Sequence, residues 1–240
     1  MLSRATPISR HAAKPYPLWG SRTRYDAALM NAWILLGGRL TANQALERTK
    51  ERYPAGFVVA ADGGIKHATL LGVRPDLWVG DFDSSSATDF PGLKMEIHPR
   101  EKDQLDAELA IERAIERGAK TLILWGALGG RFDHTLALAL IALKLSRQGL
   151  EVVLHSGDES ALPVLSGQDY PLETFPGETL SVLALERMEG LTLGGVRWPL
   201  NGATLEVGSG WGMSNVALGR QVNLSFAGGV GLVVIQHGAV

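Results

Sequence analysis

Between residues 32 and 155 the apolar positions fall into two alternating patterns. Short unbroken runs at 32–36, 57–61, 77–79, 121–125 and 151–155 predict strands buried on both faces, with 94–98 as a further short strand. Between them, apolar residues recur every three or four positions. Residues 41–52 predict a helix with Ala45 and Leu46 on one face and Thr41 as N-cap, and 64–71 a short helix closed by Gly72. Residues 103–117 give the clearest helix, with Leu105, Leu109 and Ile115 in register and Gly118 as its stop, and 135–148 a further one. Strands alternating with helices predict a mostly parallel sheet covered on both faces, with ligands at the carboxyl ends of its strands.

Beyond about residue 158 the pattern changes. Proline and glycine recur every several residues, no helical period is sustained, and short runs at 179–184, 191–193, 204–207, 221–226 and 231–235 read as strands. That predicts a small antiparallel β domain, a sandwich or barrel. The expected organisation is therefore an N-terminal extension over 1–31, an α/β domain over 32–157 and a β domain over 158–240. The fold class is α/β with a C-terminal all-β, sandwich-like domain.

Composition narrows the function classes. The 240 residues are 45% hydrophobic and 20% charged with a net charge of −2, which gives no basic surface for nucleic acid. No cysteine is present, so thiolate metal sites, disulfides and cysteine nucleophiles are excluded, and a reducing cytoplasm is the expected location. No apolar run reaches the roughly 18–20 residues a membrane span needs. The first 25 residues hold Arg4, Arg10, Lys14, Arg22 and Arg24 with no acid before Asp26, a composition found in transit peptides. Prolines at 7, 15 and 17 oppose an amphipathic helix, so a disordered or surface-draped extension is expected instead.

The candidate chemistry lies where the predicted strands end. Asp62-Gly63-Gly64 follows one run, and Asp81 and Asp83 flank Phe82 after another. In an extended segment those two carboxylates share a side about 6.6 Å apart, which suits a divalent cation. The alternative is a turn with an aspartate cap followed by serines. Lys102, Asp103 and Asp106 open the helix at 103–117, either as a capping pair at Asp103 and Asp106 or as groups that meet metal and phosphate. The glycine-rich turn 126–134 adds Arg131, Asp133 and His134 at a helix entry, where amides and a guanidinium favour phosphate. There too Asp133 could simply cap the helix, with Arg131 on the surface.

In this order, Asp62–Gly64, Pro75-Asp76, Gly80–Ser84, Lys102–Asp106, Gly129–His134 and Ser214-Asn215 resemble the motif series of the thiamine pyrophosphokinase family over about 32–240. The resemblance implies a homodimer that transfers the diphosphate of ATP to thiamine and releases AMP. It implies magnesium held by Asp81, Asp83 and Asp103, with Asp62 close by. Lys102, Asp106 and Arg131 would position metal, nucleophile or phosphates. Gly63, Gly64, Ser84, Gly129, Gly130, Asp133 and His134 would complete the nucleotide side. Ser214 and Asn215 would contact thiamine, and Trp198 would either stack on a cationic ring or fill the β-domain core, with Trp211 a weaker candidate.

Four positions depart from the family pattern: Lys66 and Leu138 stand where asparagine is usual, Leu105 replaces threonine, and Val216 replaces glutamate. They motivate two alternatives, a diphosphokinase for another small alcohol such as a hydroxymethyl pterin, and a nucleotide- or vitamin-binding protein that has lost catalysis.

Overall fold

The structure, a computed structural model, describes residues 30–80, 90–97 and 105–238. Asp81, Asp83, Ser84, Lys102 and Asp103 lie outside the described residues.

The first half alternates as the pattern predicts. Strands β1 (Met30–Leu35), β2 (Phe57–Ala61), β3 (Leu77–Gly80), β4 (Lys94–Ile97), β5 (Ala119–Trp125) and β6 (Glu151–His155) form a parallel array in the order β4-β3-β2-β1-β5-β6. The chain runs outward from β1 through β4 and then returns to place β5 on the other side of β1. That reversal opens a crevice at the carboxyl ends of the central strands, where open α/β sheets bind ligands.

Helices cover both faces. On one, α3 (Asp106–Glu116) and α4 (Phe132–Arg147) pack on an apolar layer that includes Ile34, Val59, Leu122 and Leu124. On the other, α1 (Gln44–Arg52) and α2 (Ala68–Leu71) cover Trp33, Trp78, Ile123 and Trp125. Several predicted ends move for physical reasons. Asn43, not Thr41, caps α1, its side chain accepting from the Leu46 N–H at 2.9 Å. Thr41 is instead tied by its own N–H to the Ser156 carbonyl. The segment after β2 begins as a 3-10 turn over Asp62–His67 and becomes α-helical only at α2, which Gly72 ends with φ at +68°.

The second half is antiparallel. Strands β7 (Glu159–Leu165), β8 (Asp169–Glu173), β9 (Thr179–Gly194), β10 (Leu200–Leu205), β11 (Asn215–Val216), β12 (Gln221–Ser225) and β13 (Gly228–Gln236) extend the order from β6 through β7-β13-β9-β12-β8, with β10 and β11 also on β9. The predicted runs at 179–184 and 191–193 are one 16-residue strand, β9. Its first part pairs β13 and its last part pairs β10 and β12, so one strand feeds two layers around a core of Val164, Leu172, Val182, Met188 and Leu224.

Candidate functional site

Three glycine turns meet at the carboxyl ends of the central strands. Gly37 and Gly38 follow β1, Gly63 and Gly64 follow β2, and Gly126 follows β5. Their backbones approach more closely than any side chain permits. A Cβ on Gly64 would lie 2.0 Å from the Leu35 carbonyl oxygen, and one on Gly38 would lie 2.3 Å from that of Gly126. His67 ties the turns together: its buried ring reaches the Gly38 carbonyl at 2.8 Å, and since that oxygen only accepts, Nε2 carries the proton. Burial, helped by the Lys66 charge, pushes the His67 pKa down and favours the neutral ring, outweighing the Gly38 bond, which acts the other way. Lys66 donates to the Gly37 carbonyl at 2.7 Å.

A cavity of about 580 Å³ opens above these turns. Its wall includes Asp62, Gly63, Asp106, Gly130, Arg131 and His134. These candidates come from three separate stretches of sequence, and the fold brings them together.

Asp62 is the most informative of them. Its φ of +43° is left-handed, a conformation that costs a non-glycine residue on the order of 1–2 kcal/mol. The Trp78 indole N–H donates to its carbonyl at 2.9 Å. Its carboxylate oxygen Oδ1 is buried without a hydrogen-bond partner among the described residues. A buried acceptor left unpaired costs roughly 1–3 kcal/mol unless a bound group satisfies it.

The helix entries differ from the capping alternatives. Asp106 is the first residue of α3, and Glu108 makes the reciprocal bond, its carboxylate accepting from the Leu105 N–H at 3.2 Å. Asp133 lies inside the first turn of α4, whose N-cap is Arg131 with no side-chain capping bond. Asp133 instead pairs with Arg131 at 2.6 Å and accepts from the His134 N–H at 3.0 Å. The Arg131 hydrogen bond holds its carboxyl below the usual range, and the same contact raises the Arg131 pKa. Arg131 thus stands charged and exposed at the cavity rim, beside the positive end of a 16-residue helix.

Some candidates sit elsewhere. Gly64 and Gly129 do not line the cavity; Gly64 packs on Leu35, and Gly129 backs onto Arg39 with φ at +73°. Asp76 accepts from the Val58 N–H at 2.8 Å and so closes the entry to β2. In the β half, Trp198 is 56% exposed, which removes the core alternative. Asn215 is buried and its amide is turned to the backbone: Oδ1 accepts from the N–H groups of Trp198 and Val216 at 3.0 and 2.9 Å, and Nδ2 donates to the Trp198 carbonyl at 2.7 Å. It holds the Trp198 loop. Ser214, at φ +56°, donates its N–H to Ser181. None of these β-half residues lines the strand-end cavity.

Sequence reasoning passed over Gly37, Gly38, His67 and Thr135. The Gly-Gly pair closing the first strand was the available signal for two of them. Leu105 and Leu138, both departures from the family pattern, line the cavity as apolar wall on α3 and α4.

Comparison with known proteins gives a consistent result. Residues 50–154 match the sequence model described as thiamin pyrophosphokinase, catalytic domain, and 168–230 match thiamin pyrophosphokinase, vitamin B1 binding domain. Together these cover more than two thirds of the chain. A thiamine pyrophosphokinase from Bacillus subtilis (strain 168) is 26% identical over 185 residues, spanning 74% of this chain and 86% of the relative. The crystal structure of thiamin pyrophosphokinase from Geobacillus thermodenitrificans aligns with a TM-score of 0.72 at 25% identity, over 88% of this chain and 99% of that one. The yeast enzyme shares the fold, with a TM-score of 0.60 at 13% identity over 89% of this chain and 87% of its own.

Proposed function

This chain belongs to the thiamin pyrophosphokinase family, and on that premise we propose that the strand-end cavity is where the diphosphoryl group of ATP passes to the hydroxyl of thiamine. The observation that carries this reading is Asp62, strained and with its buried Oδ1 unpartnered among the described residues, set among glycine turns inside the segment matched by the catalytic-domain model.

An orphaned carboxylate oxygen fits a hard cation. Among the described residues no three acidic or histidine side chains are placed to hold a metal ion together, so Asp62 would be the described part of a magnesium set completed by Asp81, Asp83 and Asp103. Magnesium, when bound, would neutralise charge on the triphosphate.

The chain's own groups supply the rest. The start of α4, whose N-cap Arg131 makes no side-chain capping bond, and the Arg131 guanidinium bring positive charge to the cavity, as a phosphoryl group requires. Gly63 and Gly130 leave their amides open to phosphate oxygens. Asp106 stands at the first turn of α3, in reach of a hydroxyl to be oriented or deprotonated. Leu105 and Leu138 exclude water from this wall, which strengthens every charge interaction inside. Trp198 offers an exposed π face to the cationic thiazolium.

The residues proposed for thiamine do not reach the strand-end cavity of their own chain, so we infer a homodimer in which one copy's β half serves the other's cavity. The exposed Trp198, Trp211 and Met213, and the α4 stripe of Phe132, Leu136 and Leu140, are surfaces it would cover. The lack of cysteine supports placing the enzyme in the cytoplasm. No described helix is long and apolar enough to cross a membrane. The vitamin B1 binding-domain match favours thiamine over a pterin alcohol.

Asp62→Asn is the decisive test, because asparagine tolerates the left-handed backbone while losing the charge. Thiamine-dependent AMP formation should fall about 100-fold or more with the melting temperature unchanged. Near-normal turnover in a folded Asp62→Asn enzyme would remove Asp62 from the chemistry.

A further inference from the structure

Beneath α1, on the opposite face of the sheet, lies a second cavity of about 60 Å³ that diphosphoryl transfer does not use. Arg48, His155, Ser160 and His237 line it, and Arg52 and Glu173 stand at its solvent-exposed rim, 3.2 Å apart. The hydrogen bonds there determine which atoms carry protons. Glu178 is buried; its Oε2 accepts the Phe175 N–H at 2.8 Å, and its Oε1 lies 3.2 Å from Arg48 Nη2. Burial pushes its carboxyl pKa up, but the bonds from His237 and Phe175 and the Arg48 charge outweigh this and keep it ionised.

An ionised carboxylate only accepts, so His237 Nδ1, 2.9 Å from Oε1, carries the imidazole proton. In that tautomer Nε2 keeps its lone pair, and the Ser160 hydroxyl, 2.9 Å away, donates to it. His155 is oriented the other way. Its Nδ1 accepts the Gly157 N–H at 2.8 Å, which puts its proton on Nε2. That N–H is buried and has no partner among the described residues. His155 and Ser160 are register partners on β6 and β7, which puts their Cβ atoms roughly 4.5–5.5 Å apart. The His155 and His237 rings stack at 5.5 Å.

We propose that this cavity is a second reactive site, in which Ser160 is a nucleophile toward activated esters of very small acids. The cavity holds about as much as two waters, so the acyl group is limited to formyl or acetyl, with the alcohol portion left at the Arg52–Glu173 rim. Ser160 Oγ bonds to the acyl carbon as its proton passes to His237 Nε2. The bond to the alcohol oxygen breaks, and the alcohol leaves with that proton. Water then attacks the acyl-serine, giving a proton to His237 Nε2 and restoring the Ser160 hydroxyl. The net change is ester plus water to acid plus alcohol. His155 Nε2–H donates to the oxyanion, and Glu178 positions His237.

The test treats the full chain with p-nitrophenyl acetate, follows nitrophenol release and locates the acetyl group by peptide mass spectrometry. A burst approaching one nitrophenol per chain, with acetyl on Ser160, is expected. Ser160→Ala should abolish it and His237→Gln slow it about 100-fold, with thermal unfolding confirming that both fold. A burst unchanged in Ser160→Ala overturns the proposal. Should either variant fail to fold, the unsubstituted protein decides alone: acetyl confined to lysines, or none at all, rejects a reactive Ser160.

Discussion

The strand-end cavity after β1, β2 and β5 and the polar row beneath α1, on β6, β7 and β13, share one sheet, yet they are built by different means. In the first, backbone does the shaping. Glycine turns after β1, β2 and β5 interlock around open space, and Asp62 Oδ1 has no hydrogen-bond partner there among the described residues. In the second, side chains satisfy one another in a line from Arg48 through Glu178 and His237 to Ser160. The first arrangement leaves binding capacity free for a large charged ligand. The second spends most of it internally and keeps one N–H in reserve.

The largest effect should come from filling the glycine interlock. Gly64→Ala would force a Cβ to within 2.0 Å of a backbone oxygen, and we expect a stability loss of more than about 4 kcal/mol in urea unfolding. Gly63→Ala, with nothing within 4 Å of its Cβ, should cost less than about 1 kcal/mol. Equal losses at the two sites would show that backbone contact is not what shapes this cavity.

Asn215→Ala asks whether a side chain does the same work in the β half. It strands the part-buried backbone groups of Trp198, at an expected cost of about 1–2 kcal/mol. The KM for thiamine should rise while that for ATP stays put. A matching rise in both would merge the two regions functionally.

The third effect is a slope with pH, small across any single unit. Burial first, then the nearby His237 and Arg48, push the His155 pKa down to about 3 from the ordinary 6.5. As pH falls below about 6.5 the unfolded chain takes up a proton that the folded ring refuses. Stability contributed by the neutral ring is therefore complete above that pH and fades toward about pH 3, by up to about 1.4 kcal/mol per unit. His155→Gln should flatten that part of the profile, and an unaltered slope would assign it to other groups.

Much of the first half was legible because its signals are contiguous. The apolar runs at 57–61 and 151–155 coincide with β2 and β6, and the glycine and acid after β2 announce the cavity. The misreadings are instructive. Residues 185–190 of β9 include Glu186, Arg187, Glu189 and Gly190, whose polarity hid a continuous strand. Strand β7 was missed because Pro163 interrupts it. That proline is tolerated because β6 pairs with β7 only at Ser160 and Ala161, so no neighbour on that side requires an N–H at 163.

The sequence by itself determined the alternation of strands and helices, the antiparallel second half and the clustering of acids and glycines at strand ends. Each of these is written within a few neighbouring residues, where periodicity and turn chemistry act. Only the tertiary structure decided that Asn215 grips the Trp198 loop, that Thr41 yields its cap to Asn43, and that Ser160, Glu178 and His237 form one line. Those groups come from separate strands and loops, and it is strand pairing and register, not any local preference, that sets which of them meet.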